Sequence, residues 1–139
     1  MLFKSVFILS LLAVFNTSSA GNYLSPETIA GTTRIDAETL IELAREKKDL
    51  IIIDSRIRSD RRQGYITGSI SLPDTETDCA SLLAIIDKKD TPAVFYCNGP
   101  KCRRSDLAVV IAHDCGYKNI YWFRGGLEEW KNKDYLITK

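Results

Sequence analysis

Four short apolar runs, separated by stretches of helical spacing, constrain this chain more than any other feature. Leu50-Ile51-Ile52-Ile53 is continuous and mostly β-branched, the pattern of a strand buried on both faces rather than one alternating between core and solvent. Ala93-Val94-Phe95-Tyr96 and Ile120-Tyr121-Trp122-Phe123 read the same way, and Ser69-Ile70-Ser71-Leu72 is a shorter strand stopped by Pro73. Helical patterns lie between them. Asp36 reads as an N-cap ahead of Leu40, Leu43 and Ala44, and Asp78 caps a helix through Leu82, Leu83 and Ile86. Leu107, Ala108, Ile111, Ala112 and Cys115 share one helix face that stops at Gly116. Gly125-Gly126 turns into a short helix carrying Leu127 and Trp130, the two tryptophans Trp122 and Trp130 being core anchors. Such alternation predicts an α/β fold: a parallel, doubly wound sheet with right-handed crossovers and helices on both faces. The chain shows no internal repeat and no low-complexity segment.

The 139 residues suit one domain preceded by processed or irregular segments. Lys4 followed by the apolar run Val6 to Phe15, then Ser18-Ser19-Ala20, reads as a signal peptide over residues 1–20 cut before Gly21, with an uncleaved anchor as the alternative. Gly at position 21, where a lipoprotein needs Cys, argues against lipid attachment. Residues 21–32 read as a polar leader and 33–135 as the folded domain. Without Lys4 the basic residues match the 18 acidic ones, so neither nucleic acid nor an acidic membrane surface is an expected partner. No membrane association is expected once the signal is cleaved, and the chain is exported, periplasmic or secreted.

All four cysteines, Cys79, Cys97, Cys102 and Cys115, follow the signal segment. Their spacing argues against a stapling framework, and Cys115 reads as core packing. With no C-x-x-C pair and a single histidine, His113, which falls off the core face, no metal and no cofactor are expected. Cys97 is the exception that points to chemistry. It ends a strand, and the loop Asn98-Gly99-Pro100-Lys101-Cys102-Arg103 leads into a helix. In open α/β sheets ligands bind beyond the carboxyl ends of strands. Amides of such a loop and helix start form an anion site and favour thiolate over thiol. Asp54-Ser55-Arg56, at the end of the preceding central strand, should face the same rim.

Four segments, in order, carry a family resemblance. Asp54-Ser55-Arg56 resembles a D-x-R strand end, and Gly64-Tyr65-Ile66-Thr67-Gly68-Ser69-Ile70-Ser71-Leu72-Pro73 resembles G-H-I-x-G-A-x-x-[IL]-P. Tyr96-Cys97 opens a loop before a helix. Gly116-Tyr117-Lys118-Asn119-Ile120-Tyr121 with Gly125-Gly126-Leu127-Glu128-Glu129-Trp130 resembles G-Y-x-N-V-x-x-x-x-G-G-x-x-x-W. Together they resemble the rhodanese family of sulfurtransferases from Thr33 to Lys131. Ser25-Pro26-Glu27-Thr28 with the loop Cys97 to Cys102 is similar to exported single-domain members. Three departures stand out. Tyr65 replaces the usual His, Ser69 replaces Ala, and the C-x4-R loop is here C-x5-R, with Cys102 at the Arg position and Arg103 one later. The longer spacing resembles the phosphatase and arsenate-reductase branch of the fold, but Tyr96 stands where a phosphatase has His.

The resemblance implies a five-stranded parallel sheet and a sulfurtransferase. Cys97 would take the outer sulfur of a thiosulfate-like anion as a persulfide and pass it to a thiol, or to cyanide. Asn98, Gly99 and Pro100 would shape the cradle. Lys101, Arg103 and Arg104 would attract the donor, with Arg103 the first choice for its oxygens. Asp54 and Arg56 would form an ion pair behind the rim. Cys102 is open between inert packing, a thiol that forms a disulfide with Cys97, and a second sulfur carrier. Two rival functions follow: a thiol–disulfide or arsenate-type reductase using Cys97 and Cys102, and a non-catalytic binding module. Monomer and homodimer remain equally open.

Overall fold

The computed structural model describes residues 21–139; the expected signal peptide lies outside the described residues. The elements follow as β1 (Thr32–Arg34), α1 (Ala37–Glu46), β2 (Ile51–Asp54), α2 (Arg58–Arg61), β3 (Tyr65–Ile66), β4 (Ile70–Ser71), α3 (Cys79–Ile85), β5 (Ala93–Tyr96), α4 (Arg104–Asp114), β6 (Ile120–Phe123), α5 (Gly126–Asn132) and β7 (Ile137–Thr138). The main sheet has the order β1-β6-β5-β2-β4, and every pair in it is parallel. β3 and β7 form a separate antiparallel ribbon.

Central strands are continuous in sequence because each face of the sheet has its own core. In β5, Ala93 and Phe95 point to the side where Leu82, Ile86, Ala108, Val109 and Ala112 of the α3–α4 layer lie. Val94 and Tyr96 point to the other, among Ala37, Leu40, Leu43, Leu127 and Trp130 of the α1–α5 layer. Trp122 and Trp130 are both buried, one on each side.

The expected caps form. Asp36 accepts from the Thr39 N–H at 2.9 Å, and Asp78 forms a reciprocal capping box with Ser81. Other expectations need correction. Leu107 is 43% exposed, and the buried face of α4 is Ala108, Val109 and Ala112. β1 begins inside the segment read as leader: Thr32 pairs with Ile120, so the chain adds an edge strand before α1. The polar, Arg-rich stretch from Ser55 to Gly68, in which the sequence shows no element, contains α2 and β3. Both are short, with too few residues to show a period.

The cysteine framework also differs from the sequence reading. Cys79, the first residue of α3, is bonded to Cys115, the C-cap of α4. Cys115 is only partly buried and serves as a bridge between two packed helices rather than as filling. These residues are 36 apart in sequence, and spacing alone carries no information about which helix ends the fold brings together.

Candidate active site

Cys97 sits at the carboxyl end of central strand β5 and is 1% exposed. Its backbone is fixed from α5. The Leu127 N–H donates to the Cys97 carbonyl at 2.9 Å, and the Glu128 N–H donates to the Asn98 carbonyl at 2.7 Å. This approach needs Gly126. Its φ of +56° is in the left-handed region, and a Cβ there would fall on the Cys97 carbonyl oxygen. The Gly125-Gly126 pair therefore brings the start of α5 against the candidate nucleophile.

The loop closes on itself. Cys102 donates its N–H to the Gly99 carbonyl at 2.9 Å, and its sulfur is bonded to that of Cys97. The Cys97 sulfur is thereby directed into the turn of the loop. Of the alternatives open for Cys102, the disulfide is the one seen. Cys102 is partly exposed, unlike Cys97, and borders an open pocket of about 480 Å³ with Asp74, Lys101, Arg103 and Arg104.

The cations divide by role. Arg104 is held by Asp74 at 2.5 Å, which accounts for an arginine in the first turn of a helix. Lys101 and Arg103 are exposed at the pocket rim, with the Arg103 guanidinium 5.2 Å from the Tyr23 ring centroid. Gly99 is buried against Glu128, and Pro100 offers its carbonyl to the Ser25 N–H at 2.7 Å.

Behind the loop lies a charged centre built on Asp54, which is 0% exposed. Arg56 grips both its carboxylate oxygens, at 2.9 and 2.7 Å, and Arg61 adds a contact at 3.0 Å. Burial works against the charge of Arg56, but the hydrogen bonds and charge of Asp54 outweigh it and raise its pKa above the ordinary value. Arg56 also donates to the Gly64 carbonyl at 2.8 Å and to Asn98 Oδ1 at 3.3 Å. Asn98 in turn donates to Asp60 at 2.8 Å. The first loop residue is thus oriented by the ion pair, and Asp54 and Arg56 act on the loop through Asn98.

Two departures from the family pattern are part of this same structure. The Tyr96 hydroxyl donates to Asp54 at 3.0 Å and lies 3.0 Å from the Ser69 hydroxyl. An alanine at 69 would remove that contact and the one from Arg61 to Ser69 Oγ, leaving the Tyr96 oxygen to accept from the Ile66 N–H at 3.2 Å alone. Tyr65, in the usual place of His, carries the Arg61 guanidinium 3.7 Å over its ring. Burial and the Asp54 charge push the Tyr96 phenol up to about 12.

Sequence reasoning missed the N-terminal strap. Ser25 donates its N–H to Pro100 and its hydroxyl to the Cys102 carbonyl at 3.4 Å, and is 3% exposed. Arg124 holds the strap from beyond β6, donating to the Ser25 and Pro26 carbonyls at 2.8 Å each. Tyr23 donates to Asp106 on α4 at 2.5 Å. The residues read as leader therefore brace the loop, through contacts some 77 positions apart that leave no local signal. His113 is exposed and packs over Gly31. Among the described residues no group of His, Cys, Asp and Glu is arranged to hold a metal ion.

The profile of the rhodanese-like domain family matches residues 36–133. The YibN protein of Escherichia coli (strain K12) is 28% identical over 108 residues, covering 77% of this chain and 71% of its own. Two solved structures share the fold. The BH2092 protein of Bacillus halodurans superposes with a TM-score of 0.67 at 20% identity, over 76% of each chain. The thiosulfate sulfurtransferase of Pseudomonas aeruginosa superposes with a TM-score of 0.67 at 19% identity, over 77% of this chain and 20% of that one.

Proposed function

Because the chain belongs to the rhodanese-like domain family, we propose that it is a sulfurtransferase working through a persulfide on Cys97. The observation that carries this reading is the placement of the Cys97 sulfur. It is buried at a strand end and bonded to Cys102, a residue that lines a pocket with Lys101 and Arg103. Loop amides and cations favour the thiolate once the Cys97–Cys102 bond is reduced. The thiolate attacks the outer sulfur of a thiosulfate-like anion, the S–S bond of the donor breaks, and sulfite leaves with its electron pair. Cys97 then carries a persulfide anion, which the same loop stabilises. A thiol takes the sulfur in the second half-reaction. The relative named thiosulfate sulfurtransferase supports this donor class.

The reading extends to location. Two disulfides in a chain of this size suit an oxidising compartment, in line with the signal-like first residues. We propose that the protein is exported.

The test is sulfite release. Reduced chain mixed with thiosulfate should release sulfite in one equivalent, and Cys97→Ser should release none. Cyanide should then recover thiocyanate from Cys102→Ser protein carrying the extra sulfur. Absence of both sulfite and adduct from reduced, folded protein would overturn the assignment.

A further inference from the structure

Cys97 and Cys102 are joined sulfur to sulfur across a loop of six residues. Cys102 lies at the family's arginine position, so the loop end that would present a cation to the donor presents a thiol to Cys97 instead. That end is braced twice, by the Cys102 N–H on Gly99 and by Ser25 on the Cys102 carbonyl. Burial separates the two sulfurs as well. Cys97 is almost fully covered, whereas Cys102 is partly exposed beside the pocket with Lys101, Arg103 and Leu107.

We propose that Cys102 discharges the Cys97 persulfide as hydrosulfide, so that the chain reduces thiosulfate to sulfite and sulfide at the expense of an external dithiol. This rests on the sulfurtransferase reading and adds to it. The Cys102 thiol loses its proton and attacks the inner sulfur, Sγ of Cys97. The bond from Cys97 to the outer sulfur breaks, and that sulfur leaves as HS⁻ with the bonding pair and the proton. The sulfane sulfur gains two electrons, and the two cysteine thiols are oxidised to the disulfide. A tethered thiol outcompetes a free one here because its effective concentration is far higher, on the order of millimolar or above.

Resetting the site follows from the same exposure difference. A thiolate of the dithiol attacks Sγ of Cys102, the partly exposed residue of the pair, and Cys97 leaves as the thiolate that the loop favours. The second thiol of the reductant resolves the mixed disulfide and frees Cys102. Cys97 is then ready for another donor, and no further oxidant or reductant is needed.

The experiment is a single turnover of the full-length chain, reduced, freed of reductant and held without oxygen, then mixed with thiosulfate. Sulfite, hydrosulfide and peptide masses are read together. Wild type should release one equivalent each of sulfite and hydrosulfide and lose two hydrogens across the Cys97–Cys102 peptide. Cys102→Ser should release sulfite, accumulate one extra sulfur on Cys97, and give no hydrosulfide until a thiol is added. If wild type keeps the extra sulfur on Cys97 and no hydrosulfide appears, the inference is overturned while the sulfurtransferase reading stands. If neither protein releases sulfite, both fall. Should Cys102→Ser fail to fold, the wild-type products decide alone.

Discussion

Asp54 shows what a single side chain sets at the end of a buried strand. Its carboxylate has lost its water and is satisfied by Arg56, Arg61 and the Tyr96 hydroxyl. A charge so placed is tolerated only because every lone pair has a donor. Tyr96 is the member whose titration can be followed. Its ordinary value is 10.0, and burial beside the Asp54 charge pushes it up to about 12. The folded state therefore holds the phenolic proton more tightly than the unfolded chain. That contribution to stability is complete below pH 10 and is lost as pH rises from 10 towards 12. Tyr96→Phe should flatten the alkaline loss by on the order of 2 kcal/mol. It should also cost about 2 kcal/mol at neutral pH through the lost hydrogen bond to the Asp54 carboxylate. Urea unfolding of both proteins across this pH range is the check. An equally steep alkaline decline in Tyr96→Phe would assign that decline to another group.

At the scale of elements, the loop after β5 is shaped by what packs on it rather than by its own residues. α5 donates two N–H groups to its start, Arg56 and Asp60 hold Asn98, and Ser25 ties down its far end. Gly126 is where this packing is tightest. Gly126→Ala combines an unfavourable left-handed φ with a side chain driven into the Cys97 carbonyl, and should cost about 3 kcal/mol. Gly68→Ala isolates the backbone effect, since Gly68 has a φ of +82° but open space around its Cβ direction. That variant should cost about 1 kcal/mol and leave sulfite release from thiosulfate intact. Gly126→Ala should slow that release by displacing Cys97. Equal unfolding costs and equal rates for the two variants would show that the close approach of α5 does not position the site.

Across the whole molecule, the two disulfides do different work. Cys97–Cys102 closes a small loop at the candidate active site, while Cys79–Cys115 joins α3 to the end of α4 on the face behind the sheet. Closing 36 residues of chain restricts the unfolded state, worth about 4 kcal/mol on loop-entropy grounds. The Cys79→Ala/Cys115→Ala double variant should lose about that much in urea unfolding. Sulfite release should be unaffected, because neither residue belongs to the loop. A parallel loss of sulfite release would mean that the α3–α4 staple also sets the geometry of Cys97.

What was legible in the sequence is what local chemistry determines. Continuous β-branched runs specify strands covered on both faces, Asp36 and Asp78 specify helix starts, and Cys97 before a Gly-Pro loop marks the carboxyl end of a central strand. Each signal lies within a few residues of what it dictates, because pleat, cap and loop are local. Asp54 and Arg56 were legible as a pair for the same reason, but not their reach to Asn98. Only the tertiary structure decided that Ser25 clamps Cys102, that Ser69 serves Tyr96, and that Cys79 meets Cys115. Those partners are brought together by the parallel crossovers of the sheet. Parallel strands cannot be joined by tight turns, so every connection returns across a helix and contacts at the rim are long-range. Their specificity is a property of the assembled rim, and no short window of sequence contains it.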